Sequence, residues 1–355
     1  MKKLLIFLII AACLLSGCSV APSEYEMDSY SLEIETPEFG VVGSAEVVYK
    51  TKALCSEMKD GCQIYYMYDF ETGKGEKIAT VQEFVLKGRN RVFIGDTVYF
   101  YITVGDGLGV KNVLYAVDFS ENSMYQVSES KYNMKLIPMI NVEDKLYVLQ
   151  GDNATGKTET FLERIEPNGK SKRVEFQRGE NTEERLVFFV CTDDEYVYTY
   201  EESADTGYLA KYDSDFNCVL EVDITDMIME YPLGGGVGAL YVFENHFILS
   251  DISAQSRLCR YDENGVEVLM YDNNLEYIVN TGESEHEFFY LRRTNDIYKL
   301  TPETGELEKI TYELDNENSV IRYMRAYNDN LFIAKRPPNT EDYTWEMWYY
   351  FPYED

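Results

Sequence analysis

The segment Val113-Leu-Tyr-Ala-Val117-Asp118 is one copy of a repeated pattern that decides the fold. In each copy, a run of aromatic and aliphatic residues ends at a turn position, which is usually acidic. Clear copies begin at residues 64, 113, 161, 208 and 257, and weaker copies begin at residues 296 and 347. The turn position therefore recurs at intervals of 49, 48, 47, 49, 39 and 51 residues. Internal repetition with this period predicts a series of similar supersecondary units.

A second pattern precedes each copy of the first and consists of an acidic or asparagine turn followed by another strand-like run. Asp96-Thr-Val-Tyr-Phe100 and Asp144-Lys-Leu-Tyr-Val148 show it clearly. Further copies lie at residues 194–198, 244–248, 285–289 and 329–333, and a degenerate copy lies at 45–49. Short alternating runs separated by turn residues are typical of β-strands. The two patterns together predict seven repeats of a β-sheet unit.

The strands of the first pattern are apolar on both faces, as Leu114 on one face and Val117 on the other illustrate. A strand of this kind is buried between two sheets. Units of 40–50 residues that pack on both neighbours predict an all-β protein with a β-propeller fold. We expect seven blades, although the 39-residue interval leaves six or eight open.

The seventh repeat ends after its third strand, so a fourth strand must come from elsewhere in the chain. Tyr30-Ser-Leu-Glu-Ile-Glu35 is the unassigned strand at the start of the chain. A propeller closed by a strand from its other end leaves no free edge on its last blade. We therefore expect residues 30–35 to pair with residues 346–350 and close the ring.

The N-terminus begins with Lys2 and Lys3, continues with an apolar run from Leu4 to Leu15, and reaches Ser16-Gly17-Cys18. This sequence resembles the lipobox of bacterial lipoproteins. The resemblance implies cleavage before Cys18, lipid attachment to its sulfur and a location on the extracytoplasmic face of the cell membrane. An ordinary secretory signal and an uncleaved membrane anchor are the alternatives. The predicted organisation is a signal peptide at 1–17, a tether at 18–29 and one propeller domain at 30–355.

The charge balance limits the partners of the chain. It has 63 acidic and 32 basic residues among 355, which gives a formal net charge of −31. Nucleic-acid binding requires clustered basic residues, so we exclude nucleic acid as a partner. Anionic headgroups would repel the folded body, so the lipid alone must hold the protein on the membrane. We expect most of the 31 tyrosines to pack between blades with their hydroxyls toward water.

Several short motifs resemble catalytic or metal sites, but their context favours loops. Residues 151–158 match the phosphate-binding pattern GxxxxGK[ST], yet a strand follows them where that motif needs a helix. Residues 128–131 and 234–239 resemble other enzyme motifs and also lack the required context. Asp213-Ser-Asp215 resembles part of a calcium loop without its glycine and distal glutamate. We therefore predict no catalytic residue, no metal and no cofactor.

Five cysteines remain when Cys13 and Cys18 are set aside. Cys55 and Cys62 flank the hairpin of the first blade, and secretion makes a disulfide between them a plausible prediction. The other three, at positions 191, 218 and 259, are expected to be small buried apolar residues.

The repeats predict a fold but assign no ligand-binding residue, because one fold supports many functions. They lack the Trp-Asp pairs of WD repeats and the double glycines of kelch repeats. Our first hypothesis is a non-catalytic binding or scaffold module that engages a protein or a glycan through loops on one propeller face. A propeller enzyme, either a carbohydrate lyase or a hydrolase, is the second hypothesis. An envelope sensor or assembly factor is the third.

Overall fold

A computed structural model describes the chain from residue 24 to 26 and from 44 to 352, with short gaps. The gaps are at residues 70–71, 73, 82–83, 106–109, 131–137, 153–158, 179–184, 194, 204–205, 235–236, 252–254, 273–274, 281–287, 293–295, 302, 312–319, 328–329 and 337–346.

The described strands form seven sheets that follow one another along the chain. Strand β1 spans Glu24–Glu26 and joins the sixth sheet. The first sheet contains β2 (Ser44–Tyr49), β3 (Lys52–Lys59), β4 (Cys62–Asp69) and β5 (Lys74–Val81). The second contains β6 (Phe84–Ile94), β7 (Thr97–Gly105), β8 (Val110–Asp118) and β9 (Ser123–Ser130). The third contains β10 (Met139–Val142), β11 (Lys145–Asp152), β12 (Glu159–Ile165) and β13 (Ser171–Val174).

The second half of the chain repeats this pattern and adds one short helix. The fourth sheet contains β14 (Leu186–Thr192), β15 (Val197–Ser203), β16 (Thr206–Tyr212) and β17 (Cys218–Asp223), and helix α1 (Thr225–Glu230) follows it. The fifth contains β18 (Val237–Phe243), β19 (His246–Asp251), β20 (Ser256–Asp262) and β21 (Gly265–Asp272). The sixth contains β22 (Leu275–Asn280), β23 (Phe288–Arg292), β24 (Ile297–Thr301) and β25 (Glu306–Thr311). The seventh contains β26 (Val320–Tyr327), β27 (Asn330–Arg336) and β28 (Met347–Pro352).

The first strands of the sheets lie around a common centre. Contacts join β6 to β10, β10 to β14, β14 to β18 and β22 to β26, and β26 also contacts β2 of the first sheet. Within each sheet, successive strands pair antiparallel. Sheets arranged with their first strands innermost and their last strands outermost form a β-propeller, so the predicted all-β fold is confirmed.

The third strand of a sheet is buried on both faces, as the repeat pattern predicted. In β8, Leu114 and Val117 are both fully buried. Leu114 packs with residues of the third sheet, including Met139 and Leu146, whereas Val117 packs with Leu54 of the first sheet. The core of the protein is therefore a set of apolar layers between neighbouring sheets.

The N-terminal segment contributes a strand where the sequence predicted only a tether. Strand β1 pairs in parallel with β25, with Glu24 opposite Lys309 and Glu26 opposite Thr311. The outer edge of β25 carries backbone donors and acceptors that a neighbouring strand can satisfy. The predicted closing strand at residues 30–35 and its partner residue 346 lie outside the described residues. Closure of the seventh sheet by this strand therefore stays a prediction.

The acidic turn positions cap hairpins, as expected for Asx-turns. The carboxylate of Asp118 accepts hydrogen bonds from the backbone N–H groups of Ser120 at 2.8 Å and Glu121 at 3.0 Å. The carboxylate of Asp213 binds the N–H groups of Asp215 and Asn217 in the same way, at 3.0 and 2.8 Å. These interactions lower the pKa of both carboxyls, chiefly through the Ser120 hydroxyl and the Asn217 side chain.

Gly169 lies at a close contact between the second and third sheets. It occupies the turn between β12 and β13 with a φ of +77°. A Cβ atom at this position would overlap the carbonyl oxygen of Val127 in β9. The β9 strand bulges here, because Leu114 opposes Ser128 and Tyr115 opposes Gln126, so Val127 opposes no residue of β8. Glycine thus lets a turn of one sheet rest on a bulge of the next.

We predict that Gly169→Ala lowers the free energy of unfolding more than Gly61→Ala does. Gly61 has a similar φ of +78°, but a Cβ there would meet no atom within 4 Å. Gly61→Ala should therefore lower the free energy of unfolding by about 1–2 kcal/mol, which is the cost of placing alanine in the left-handed backbone conformation. Gly169→Ala should cost about 1–3 kcal/mol more, because the added methyl forces the two sheets apart. Urea unfolding of both variants measures the difference, and equal losses would contradict the packing described.

Candidate functional site

The two longest connections between described sheets flank the fourth sheet. Residues 175–185 link β13 to β14, and residues 224–236 link β17 to β18, which makes 11 and 13 residues. The remaining connections between sheets, from β5, β9, β21 and β25, contain 2 to 8 residues. Each connection joins the end of an outermost strand to the start of the next innermost strand, and these strand ends lie at one end of the ring, which we call the connection face. Loops added to a rigid scaffold are common places for binding residues.

An ion pair with a fully buried carboxylate holds Arg178, in the first long connection, against the fourth sheet. Arg178 donates from Nε to Oε2 of Glu201 at 2.9 Å, and the Glu201 side chain in β15 is fully buried. The other carboxylate oxygen of Glu201 accepts hydrogen bonds from the hydroxyls of Thr199 and Tyr212, each at 2.7 Å. Burial and the neighbouring Glu201 carboxylate raise the pKa of Tyr212 well above its ordinary value. The carboxylate is therefore satisfied on both oxygens.

A second pair fixes the end of the same connection. Arg185, directly before β14, forms two hydrogen bonds with the carboxylate of Glu221 in β17, at 2.6 and 3.1 Å. Its guanidinium also lies 3.5 Å from the centroid of the Tyr208 ring. Bidentate pairing and ring stacking together define the orientation of an arginine closely.

The third pair fixes the other long connection to the fifth sheet. Arg257 in β20 is fully buried, and its guanidinium donates to the carbonyl oxygens of Tyr231 at 2.8 Å and Gln255 at 3.0 Å. It also lies 3.6 Å from the buried carboxylate of Asp251. That carboxylate accepts the backbone N–H groups of Gly234 and Gln255 at 2.9 and 3.0 Å. One arginine and one aspartate thus order backbone from residue 231 to 234.

Buried charge is concentrated at this place among the described residues. In every other ion pair that the structure describes, both side chains are at least 32% exposed. Burying a charge costs several kcal/mol, which only good geometry and full hydrogen bonding offset. These buried charges lie where the two long connections join the fourth and fifth sheets. The result is that Arg178, Arg185 and residues 231–234 are firmly held at the connection face.

Exposed apolar side chains lie beside these rigid connections. Phe188 in β14 is 43% exposed, Met229 in α1 is 74% exposed and Tyr271 in β21 is 41% exposed. Phe188 occupies a β-bulge, because Val187 opposes Glu201 and Phe189 opposes Tyr200. The first strands β2, β18, β22 and β26 have the same type of bulge at residues 46, 238, 276 and 322. Such bulges often lie beside functional sites.

Helix α1 and the adjoining tyrosines form what we call the α1 patch. It consists of the exposed residues Asp223, Asp226, Met229 and Glu230, together with Tyr231 and Tyr271. The rings of Tyr231 and Tyr271 have centroids 5.1 Å apart and are inclined by 46°. A hydrogen bond to Glu230 raises the pKa of Tyr231, and Tyr271 donates to Oε1 of Gln255 at 3.1 Å. The patch therefore combines apolar surface with carboxylates.

The predicted disulfide between Cys55 and Cys62 is wrong for this structure. In the hairpin of β3 and β4, Cys55 opposes Tyr66 and Cys62 opposes Lys59. The two cysteines are thus four positions apart along the hairpin, about 13 Å at the usual rise per residue. A disulfide needs Cα atoms within about 7 Å. Although the two cysteines lie on either side of the same turn in the sequence, the strand register does not place their thiols opposite each other.

The remaining cysteines and the described histidine behave as packing residues. Burial raises the pKa of Cys191 above its ordinary range and that of Cys259 to about 12. Burial is also the main cause of the raised pKa of Cys218. His246 in β19 is buried, and its ring is stacked on Phe243 with centroids 5.6 Å apart. These side chains take part in packing between and within sheets.

Other sequence candidates fall partly or wholly outside the described residues. These are Cys18, residues 153–158 of the phosphate-loop pattern, Lys131 and residues 235–236. Within the described part of the chain, no group of three histidine, cysteine, aspartate or glutamate side chains is placed to hold a metal ion. The helix in this part of the chain is also too short and too polar to cross a bilayer.

Comparison with known proteins gives structural likeness without a family. No protein-family model matches the chain, and no curated protein matches it. An uncharacterized protein of Listeria monocytogenes, lmo1340, is 11% identical, with 89% of this chain and 92% of that chain covered and a TM-score of 0.48. The β-propeller domain of the trilobed protease of Pyrococcus furiosus is 9% identical, with 72% and 80% covered and a TM-score of 0.45.

A third likeness is to a Bacteroides fragilis protein described provisionally as a 6-phosphogluconolactonase. It is 13% identical, with 87% of this chain and 92% of that chain covered and a TM-score of 0.44. Similarity at this level carries no argument about activity. The propeller assignment here depends on the sheet order and on the contacts between first strands.

Sequence reasoning missed the three buried ion pairs. Their members are 23, 36 and 6 residues apart, and they come from different strands and connections. One signal was present, since Arg257 begins a repeat copy at a position where Ile64 and Val113 stand in other copies. A charged residue at a position that is apolar or aromatic in the other clear copies was the available indication of a special site.

We predict that Asp251→Ala lowers the free energy of unfolding by about 3–5 kcal/mol, because it leaves the buried Arg257 charge uncompensated. The matched control is Glu267→Ala, which breaks an ion pair with Arg260 whose side chains are both more than half exposed. The control should cost less than about 1 kcal/mol. Chemical denaturation measures both variants. Similar small losses would show that the Asp251–Arg257 pair does not hold the connection.

Proposed function

We propose that the protein is a lipid-anchored lipoprotein of the extracytoplasmic membrane face. In this proposal, its propeller is a non-catalytic binding module that engages a protein or glycan through the connection face. The lipobox resemblance at residues 15–18 supports the anchor. The binding role rests on the connection face itself.

The observation that carries the binding role is the coincidence of rigid loops with exposed apolar side chains. Three arginine–carboxylate pairs, each with at least one almost fully buried side chain, hold Arg178, Arg185 and residues 231–234 of the two long connections. Phe188, Met229 and Tyr271 are exposed, and they lie near the start of β14, in α1 and near the end of β21, next to the long connections or at a strand end that joins one sheet to the next. Aromatic residues and methionine are enriched in interface cores, and pre-ordered loops bind with a smaller entropy cost.

The chemistry of the buried carboxylates supports binding over catalysis. A glycoside hydrolase or lyase needs a carboxylate that can exchange a proton with the substrate. Glu201 accepts three hydrogen bonds from side chains, and Asp251 accepts two backbone N–H groups beside Arg257. Both side chains are fully buried, so they stabilise loops instead of contacting a ligand.

The anchor is tested by metabolic labelling of the full chain with a radioactive fatty acid in a bacterial host. We expect the wild-type protein to carry the label and Cys18→Ala to lose it, because that thiol is the acceptor. Cys62→Ala is the control, since it also removes a thiol that is not fully buried. Label that persists in Cys18→Ala would refute lipid attachment at this residue.

The binding face is tested by capture of proteins and glycans from a detergent extract of the envelope. We expect Met229→Ala combined with Tyr271→Ala to lose the ligands that the wild-type protein retains, with an unchanged Tm. Tyr125→Ala combined with Val219→Ala is the matched control, because both residues are exposed and apolar but lie at the starts of β9 and β17, at the end of the ring opposite the connection face. Equal loss in both double variants, or loss in neither, would contradict binding at this face.

A further inference from the structure

The α1 patch presents an apolar side chain surrounded by negative charge. Met229 is the most exposed large apolar residue among those described, and Asp223, Asp226 and Glu230 are exposed near it in sequence. Among the described residues, none of these three carboxylates takes part in an ion pair. The last turn of α1 contains no basic residue and ends in Glu230. The patch therefore keeps its negative charge.

The buried side of α1 fixes the patch in place. Met227 and Ile224 are buried in the layer between the fourth and fifth sheets. The backbone N–H of Gly207 in β16 donates to Oγ1 of Thr225 at 3.1 Å, and Ile228 packs so closely on Gly207 that a Cβ there would overlap it. Asp223 accepts the N–H of Thr225 at 2.8 Å at the start of the helix. The exposed side chains are thus presented by an anchored helix.

The nearest buried cation does not neutralise this surface. The Arg257 guanidinium is engaged by the carbonyl oxygens of Tyr231, Pro232 and Gln255, and it faces the Tyr271 ring at 5.5 Å. The guanidinium therefore packs against the Tyr271 ring and holds the backbone of Tyr231 in place. A cation that pairs with Asp226 or Glu230 must come from outside the described part of the chain.

We propose that the α1 patch docks a basic segment of a partner protein that carries an apolar anchor residue. Lysine or arginine side chains would pair with Asp226 and Glu230, and the anchor would pack on Met229 and Tyr271. A cation beside Glu230 is also favoured because the C-terminal end of a helix carries a partial negative charge. The net charge of −31 attracts such a segment from a distance. This proposal rests on the proposed binding function and names its partner class.

A glycan fits the same patch less well. Sugars stack on flat aromatic faces and need both donors and acceptors around the ring. The rings of Tyr231 and Tyr271 are inclined by 46°, and their hydroxyls are engaged by Glu230 and Gln255. The charged members of the patch are all acceptors when ionised.

The test uses the purified full chain in detergent and a fluorescent amphipathic peptide of lysine and leucine, with fluorescence anisotropy at 0.15 M salt. Asp226→Lys combined with Glu230→Lys should weaken binding about tenfold or more, as expected for loss of close charge pairs. Asp215→Lys combined with Glu263→Lys is the matched control. These two residues are exposed in turns of the same two sheets at the opposite end, and the net charge changes equally.

The control should weaken binding less than about threefold, because charges beyond the Debye length of about 8 Å are screened. Met229→Ala should also weaken binding, and a glutamate–leucine peptide of the same pattern should not bind. If both charge-reversal variants weaken peptide binding equally, the proposal is overturned, because the peptide would then be attracted by the net charge of the protein and not by the α1 patch. Failure of the lysine–leucine peptide to bind would overturn it as well. If the peptide does not bind but capture of envelope ligands still requires Met229 and Tyr271, the proposed binding face is retained and only the basic partner class is refuted.

Discussion

The burial of strands on both faces is the constraint on which the rest of this protein depends. A third strand such as β8 has Leu114 against one neighbouring sheet and Val117 against the other, so no sheet can be stable without both neighbours. Sheets with this requirement must form a ring, and the contact between β26 and β2 brings the last described sheet beside the first. The ring then places the strand ends that successive connections join at one end, where longer connections can be added without disturbing the core.

The excess of tyrosine and acidic residues has a shared physical explanation. Buried tyrosine hydroxyls donate to carboxylates, as in Tyr66 to Glu57 at 2.5 Å, Tyr198 to Asp193 at 2.7 Å and Tyr212 to Glu201 at 2.7 Å. A buried hydroxyl needs a partner, and a carboxylate is a strong acceptor. Burial and the neighbouring negative charge raise the pKa of these tyrosines, so the hydroxyls stay protonated donors. The expectation that the hydroxyls point toward water therefore described only part of their role.

The repeat pattern predicted the sheets well because it records local alternation and turn chemistry. Val113–Asp118 could be read directly, since burial on two faces requires an apolar run and Asp118 caps the following turn. The candidate site could not be read in this way. The Arg185–Glu221 pair joins residues 36 positions apart, and neither residue interrupts a repeat copy. The Cys55–Cys62 disulfide failed for a related reason, because strand register and not sequence proximity decides which side chains face each other.

The central claim is that arginine–carboxylate pairs with buried members hold Arg178, Arg185 and residues 231–234 of the two long connections rigidly at the connection face. Amide hydrogen exchange of the full chain, measured by mass spectrometry, tests it most directly at residues 224–234. The Gly234 amide donates to buried Asp251, and the Tyr231 carbonyl accepts from buried Arg257. We predict exchange as slow as that of the adjoining strands β16 and β19, with protection lost when Asp251 is replaced. Exchange at the rate of an unprotected loop in the wild-type protein would contradict the account.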